Sequence, residues 1–194
     1  MKQRCSWCQS DPLYIQYHDD EWGIPLHNDL LLFELLTLEG AQAGLSWLTV
    51  LKKRENYRKA FHDFDCHIIS KYTEEDINRL MSDAGIIRNR LKIESVIKNA
   101  KGIIKIQKEF GSFDKFIWEY VDGVPLQNKR HTLKEIPNQT DISQKMSKAL
   151  KSYGFNFVGP TICYAFMQAI GMVNDHMVEC FRHDEIKNIS STTK

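Results

Sequence analysis

Apolar residues recur at helical spacing along most of the chain, and no pair of strands with hairpin chemistry stands out. Asn28 and Asp29 precede Leu30, Leu31, Phe33, Leu35, Leu36 and Leu38, an N-cap signal ahead of an apolar face that Gly40 and Gly44 interrupt. Ser46 caps the next predicted helix, through Trp47, Val50 and Leu51 to about Phe61, with Lys52, Lys53, Arg54 and Arg58 for its outer side. Thr73-Glu74-Glu75-Asp76 has the form of a capping box before Ile77, Leu80 and Met81, and Gly85 ends that helix. Asn89 to about Phe110 predicts a long helix despite Gly102, and Ser112 opens a short one through Phe113, Phe116 and Trp118. Val121 to Asp141, with Pro125 and Pro137, reads as a long connection that packing can still order. Ser143 to Tyr153 predicts a basic helix ending at Gly154, and Thr161 to Val173 an apolar, central one. The class is all-α: one helical unit over residues 1–188, in one lobe or two, and a flexible polar tail over 189–194.

At 194 residues with 42% hydrophobic and 26% charged positions, the chain has enough material for a core without disulfides. Disordered and fibrous classes are excluded. Net charge is +1, but the distribution is uneven: residues 1–47 carry 2 basic and 7 acidic side chains, leaving 24 against 18 for the remainder. A nucleic-acid surface is therefore expected in the later part. The longest nearly apolar stretch, Val158 to Val173, is too short to span a membrane and contains Gln168. The opening residues lead into polar sequence rather than a signal-peptide core, so the expected address is cytoplasmic. Five cysteines then read as thiols or metal ligands rather than a disulfide framework.

Three features carry candidate chemistry. His176 and Cys180, four apart, fall on one face if the segment is helical, and Cys5 with His18 can complete a tetrahedral metal site that pins the two ends of the chain. Cys8 and His183 compete as ligands, and a buried thiol beside a surface imidazole is the alternative. Four protein ligands leave no open position for water, which makes such an ion structural. Trp7, Tyr14, Tyr17, Trp22, Phe33 and Trp47 crowd an acidic segment; ring faces and carboxylates together suit a flat, electron-poor or cationic ligand. A plain hydrophobic core is the other use of those rings. Glu39 ends an apolar helix among small residues, where a carboxylate either meets a partner or ligand or turns to solvent.

Arg4-Cys5 with Trp7, Asp11 to Tyr14, Tyr17 to Asp19, Glu21 to Gly23 and Leu38-Glu39-Gly40 through Trp47 strongly resemble the DNA-3-methyladenine glycosylase I family. So do Asp83 to Arg88, Phe157 to Gly159 with Thr161 to Tyr164, and Val173 to His176. The likeness runs in order from about Arg4 to Cys180. It implies a helix-hairpin-helix fold with one structural zinc, and a monofunctional enzyme without lyase activity. Such an enzyme flips 3-methyladenine out of alkylated double-stranded DNA and hydrolyses its glycosidic bond, releasing the free base. Residue by residue, Cys5, His18, His176 and Cys180 fall on the family's zinc ligands, and Trp7, Tyr14, Tyr17, Trp22, Glu39 and Trp47 on its base pocket. Glu39 is the candidate catalytic residue. The hairpin is expected near residues 80–92, where backbone N–H groups around Gly85, with Arg88, Arg90 and Lys92, would meet phosphates. Ile87 stands where the wider superfamily usually has a second glycine. Ile86 to Lys108 contains no Asp, so no catalytic aspartate is assigned. Nothing in the sequence demands more than a monomer.

Overall fold

The computed structural model describes residues 2–192, and they are mostly helical. Helix α1 (Pro12–Asp20) starts where the Asp11 carboxylate accepts from the Leu13 N–H, with Pro12 at its first position. Helix α2 (Asp29–Gln42) is capped by the Asn28 side chain, which accepts from the Leu31 N–H, and is buried continuously from Leu32 to Ala41. A helix covered on all sides is a core element, and α2 is the axis of this fold. It passes through Gly40 without a break; the predicted interruption begins only after Gln42, with Ala43 outside the helix and Gly44 at φ +81°.

The helix expected from Ser46 to Phe61 is two helices, α3 (Trp47–Leu51) and α4 (Arg54–Ala60), separated at Lys52 and Lys53. Ser46 caps the first as predicted, accepting from the Thr49 N–H. Arg54 and Arg58, expected on the outer side, reach the buried Glu34 carboxylate of α2 instead. A carboxylate inside a protein needs such partners, and ending α3 early frees α4 to supply them. Short helix α5 (Cys66–Ile69) follows, then α6 (Glu74–Ser82) with the predicted capping box at Thr73 and Asp76.

Helix α7 (Arg90–Phe110) starts at the Asn89 cap. Asp29 links its far end to α8 (Phe113–Trp118), accepting from Gln107 Nε2 and from the backbone N–H groups of Phe113 and Asp114. The connection after α8 is ordered by packing. It contributes β1 (Leu126–Gln127), which pairs in parallel with β2 (Val173–Asn174), a minimal ladder absent from the all-helical expectation. Helix α9 (Asp141–Ser152) packs on α10 (Pro160–Ala169), which in turn lies against α2. Helix α11 (Phe181–Thr192) takes in part of the expected polar tail; residues 193 and 194 lie outside the described part. Among the described residues no helix is long and apolar enough to cross a membrane.

Gly102 sits mid-helix in α7 for a packing reason. A Cβ there would lie 2.2 Å from Cε2 of Phe155, whose ring is buried and stacked on Phe113 at 6.2 Å. Gly102→Ala is expected to lower stability by about 1–3 kcal/mol through overpacking. Urea unfolding of the variant against the parent chain measures the loss.

Candidate functional site

Cys5, His18, His176 and Cys180 converge: their ligand atoms all lie within 4.8 Å of one another and all four residues are buried. Cys5 immediately precedes a single 3-10 turn, Ser6–Cys8, and His18 sits in the last turn of α1. The second pair does not share a helix face. His176 and Cys180 lie in the irregular loop between β2 and α11, where a turn closed by the Cys180 N–H on the Met177 carbonyl brings them together. That loop is held by a bridge from Arg130 to Met177 and by the Asn174 side chain, which accepts from the His176 N–H.

The donor set suits a cation. His176 Nε2 donates to the Trp22 carbonyl at 3.0 Å and His18 Nδ1 to Asp19 Oδ1 at 2.8 Å. With those N–H groups so committed, the other ring nitrogens point inward, where each can offer a lone pair to a cation. Those nitrogens face sulfur: Cys180 Sγ is 3.4 Å from His18 Nε2 and 3.6 Å from His176 Nδ1, and Cys5 Sγ is 3.7 Å from His176 Nδ1. Sulfur and nitrogen at the vertices of a tetrahedron around a zinc-sized ion stand about 3.6 Å apart. The Cys180 thiol is drawn far down and the Cys5 thiol pushed up, because one proton serves two adjacent sulfurs. The Met177 N–H also donates to Cys5 Sγ. Cys8 and His183 stand outside the cluster: Cys8 Sγ donates to the Cys5 carbonyl, and His183 Nε2 to that of Asn128.

Aromatic rings rest on the cluster's flank. Trp22 lies edge-on to His176 at 4.6 Å, Trp7 edge-on to His18 at 5.2 Å, and Trp7 meets both Tyr14 and Trp22 at 4.9 Å. The turn after Trp22 needs Gly23, at φ +83°, because a Cβ there would come within 3.0 Å of His176 Nε2. These rings, with Tyr17 and Trp47, line a cavity of about 380 Å³ with Glu39 in its wall. That volume falls in the range of small-molecule sites, about 300–1,000 Å³. All six residues predicted for a base pocket line this one cavity.

Glu39 is 5% exposed, and no described residue gives its carboxyl group a hydrogen bond. Burial pushes its pKa up to about 8. Across the same cavity lining, Trp47 Nε1 is a buried donor without a partner. A carboxyl that receives no hydrogen bond from a described residue and an unsatisfied indole N–H line one cavity, an arrangement that can meet a ligand's polar edge.

The sequence reading missed the opposite wall. Leu133, Ile136, Pro137 and Asn138 come from the long connection, and Thr161, Tyr164, Ala165 and Gln168 from α10. Gln168, the one strongly polar residue inside an apolar stretch, was the available signal; the connection offered none. Asp175 fixes this wall, accepting from the Tyr164 hydroxyl at 2.6 Å, Gln168 Nε2 at 2.8 Å and Asn128 Nδ2 at 2.7 Å.

The expected hairpin is the turn from Asp83 to Asn89 between α6 and α7. The Gly85 N–H is taken by Asp83 Oδ1 and the Ile87 N–H by the Tyr57 hydroxyl. Arg90 is committed to Glu74 and Glu94, whereas the exposed Arg88 has no partner among the described residues. Lys92 turns to the end of α2, donating to the carbonyls of Ala41 and Ala43.

The methyladenine glycosylase family profile matches residues 7–183. DNA-3-methyladenine glycosylase 1 of Escherichia coli K12 is 53% identical over 178 residues, 92% of this chain and 95% of that protein. A crystal structure of 3-methyladenine DNA glycosylase I, also 53% identical, superposes with a TM-score of 0.91 over 93% of this chain and all of that one. A tyrosine variant of a 3-methyladenine DNA glycosylase I, solved in complex with 3-methyladenine, is 40% identical with a TM-score of 0.89 over 92% and 96% of the two chains.

The Glu39 shift has a defined pH signature. Its folded pKa, about 8, stands above the ordinary value of 4.5, so the folded chain holds a proton that the unfolded chain releases. Stability therefore drains as pH rises from 4.5 toward 8 and levels beyond. Glu39→Gln removes that drain: its melting temperature is expected to rise relative to the parent across this window, with no relative gain below it. Thermal melts of both proteins at matched pH check the sign.

Proposed function

The chain belongs to the methyladenine glycosylase family and acts as a DNA-3-methyladenine glycosylase, and we propose that the aromatic cavity around Glu39 receives the excised base. The observation that carries this reading is the buried Glu39 carboxyl, with no hydrogen bond from a described residue, in the same cavity as the unpartnered Trp47 N–H. An adenine methylated at N3 is cationic in the nucleoside and already a good leaving group. Recognition and access then matter more than acid catalysis. A base inside a duplex cannot reach such a cavity, so the nucleotide is flipped out at a cost of a few kcal/mol. Trp47 and its neighbours stack on the base, Trp7, Tyr14, Tyr17 and Trp22 enclose it, and Glu39 accepts from its edge. Cationic character strengthens both kinds of contact, and a positive ring beside Glu39 favours the ionised carboxylate. Neutral purines leave that carboxyl without such a counter-charge, which is a basis for rejecting them.

Hydrolysis follows: water adds to the anomeric carbon as the bond to the base nitrogen breaks, giving free 3-methyladenine and an abasic site after loss of a proton. Glu39 is the group in the cavity able to take that proton. The cavity lining contains no lysine for a Schiff base, in keeping with a monofunctional enzyme. The Gly85 and Ile87 N–H groups of the turn are already taken within the chain, so the exposed Arg88 cation beside them would make the phosphate contact, reading backbone rather than sequence. Residues 1–188 would act as one catalytic unit, working as a monomer in the cytoplasm.

Cys5, His18, His176 and Cys180 would hold one zinc ion, whose four protein ligands give it a structural role. Their inward lone pairs and spacing support the assignment. Zinc there would fasten the N-terminal turn and α1 to the loop before α11, and with them the Trp7 and Trp22 walls.

Incubating the protein with methylated duplex DNA and analysing released bases tests the function. Free 3-methyladenine is expected, and its absence with folded, metal-loaded protein would overturn the reading. Glu39→Ala is expected to lose tight binding of the base without a loss of melting temperature, as calorimetry and thermal melts will show. Cys180→Ser is expected to lower zinc content and melting temperature together, because bound metal contributes directly to folding; elemental analysis of the purified variant measures the first.

A further inference from the structure

Lys92 is the third residue of α7, seven positions after Gly85 of the hairpin turn. Its backbone is pinned on both sides: the Asn89 side chain accepts from its N–H at 3.1 Å, and its carbonyl accepts from the Ser95 hydroxyl at 2.6 Å. Its ammonium donates to the Ala41 and Ala43 carbonyls at 2.7 Å each. Those carbonyls belong to the C-terminal end of α2, where a cation also meets the negative end of the helix dipole. Between Glu39 on α2 and Trp47 at the start of α3 the chain makes a turn from Ala43 to Ser46, exposed from Gly44 onward, with Gly44 at φ +81°. Gln42 braces this turn by donating to the Leu45 carbonyl at 2.6 Å. Gln42, Glu39 and Trp47 all line the base cavity.

The hairpin meets the chain again beyond α3. Lys53 Nζ donates to the Ala84 carbonyl at 2.9 Å, and the Tyr57 hydroxyl accepts from the Ile87 N–H at 3.2 Å. The stretch from the end of α2 into α4 is therefore tied at both ends: by Lys92 of α7 at the end of α2, and by Lys53 and Tyr57, beyond α3, to the hairpin.

We propose that Lys92 is a positioning residue that fixes the distance between the phosphate-binding hairpin and the base cavity by clamping the end of α2. The flipped nucleotide is one covalent unit whose phosphates meet the hairpin while its base meets the cavity. Both contacts form together only if the two sites keep their spacing. A free base has no phosphate and does not sense it. Misplacement of about 1 Å costs up to about 100-fold in rate when reacting groups are pre-aligned.

This inference rests on the functional reading above, and the test separates the two. Lys92→Met keeps the aliphatic stem and removes the donors. Single-turnover excision from methylated duplex is expected to fall by about tenfold or more. The dissociation constant for free 3-methyladenine, read by tryptophan fluorescence, is expected to stay within about threefold of the parent, and Lys92→Arg, with donors restored, to regain most of the rate. Unchanged excision in Lys92→Met would overturn the clamp. So would a parallel loss of excision, base binding and melting temperature, which marks plain destabilisation. If Lys92→Met does not fold, Lys92→Gln replaces it under the same criteria. A parent protein that releases no 3-methyladenine would instead overturn the functional reading.

Discussion

A carboxyl group kept in an aromatic cavity, with no hydrogen-bond partner among the described residues, is the constraint around which this site is arranged. Burying such a group is unfavourable, and the fold offers Glu39 none of the relief it gives Glu34, which receives Arg54 and Arg58. Both residues lie on α2, so the difference is one of placement rather than composition. Glu34 faces α4, whose separation from α3 lets two guanidiniums reach inward. Glu39 faces rings. Its raised pKa and the orphaned Trp47 N–H are two signs of one site prepared for a guest. A ligand with complementary charge would restore the stability given up at Glu39.

The rings rest directly on the cluster behind them. His18 and His176 present their edges to Trp7 and Trp22, and the Trp22 carbonyl accepts the proton that fixes the His176 tautomer. The candidate metal cluster and the pocket wall are thus packed directly on one another. On the far side, Asp175, next to His176, accepts from Tyr164 and Gln168 and so ties the α10 wall to the same loop. Residues from both ends of the chain meet here, which puts long-range closure, rather than any local motif, at the origin of the pocket.

Local signals in the sequence were read correctly where local physics decides. Asn28, Ser46, Asn89 and Ser112 each open a helix because each supplies an acceptor to an otherwise unpaired N–H, and at Thr73 the Asp76 carboxylate accepts from the capping residue's own N–H. The split at Lys52 and Lys53 was not legible, because it answers a buried charge, Glu34, on another helix. The β1–β2 ladder escaped notice since two-residue strands carry no periodicity. The same holds for the loop carrying His176 and Cys180, where a spacing of four suggests a helix but a turn delivers the convergence. Six cavity residues were named through family likeness. The wall from Leu133 to Asn138 was not, because a polar, proline-bearing connection looks alike whether it lines a site or only joins two helices.

The account's centre is that the cavity binds an alkylated purine through Glu39 and Trp47, and a crystal structure of this chain with 3-methyladenine tests it most directly. It predicts the base flat among the rings of Trp7, Tyr14, Tyr17, Trp22 and Trp47, with the Glu39 carboxylate and Trp47 Nε1 each within about 3 Å of a polar atom of the base. A base bound elsewhere, or rings collapsed into the cavity with Glu39 paired to protein, would contradict it.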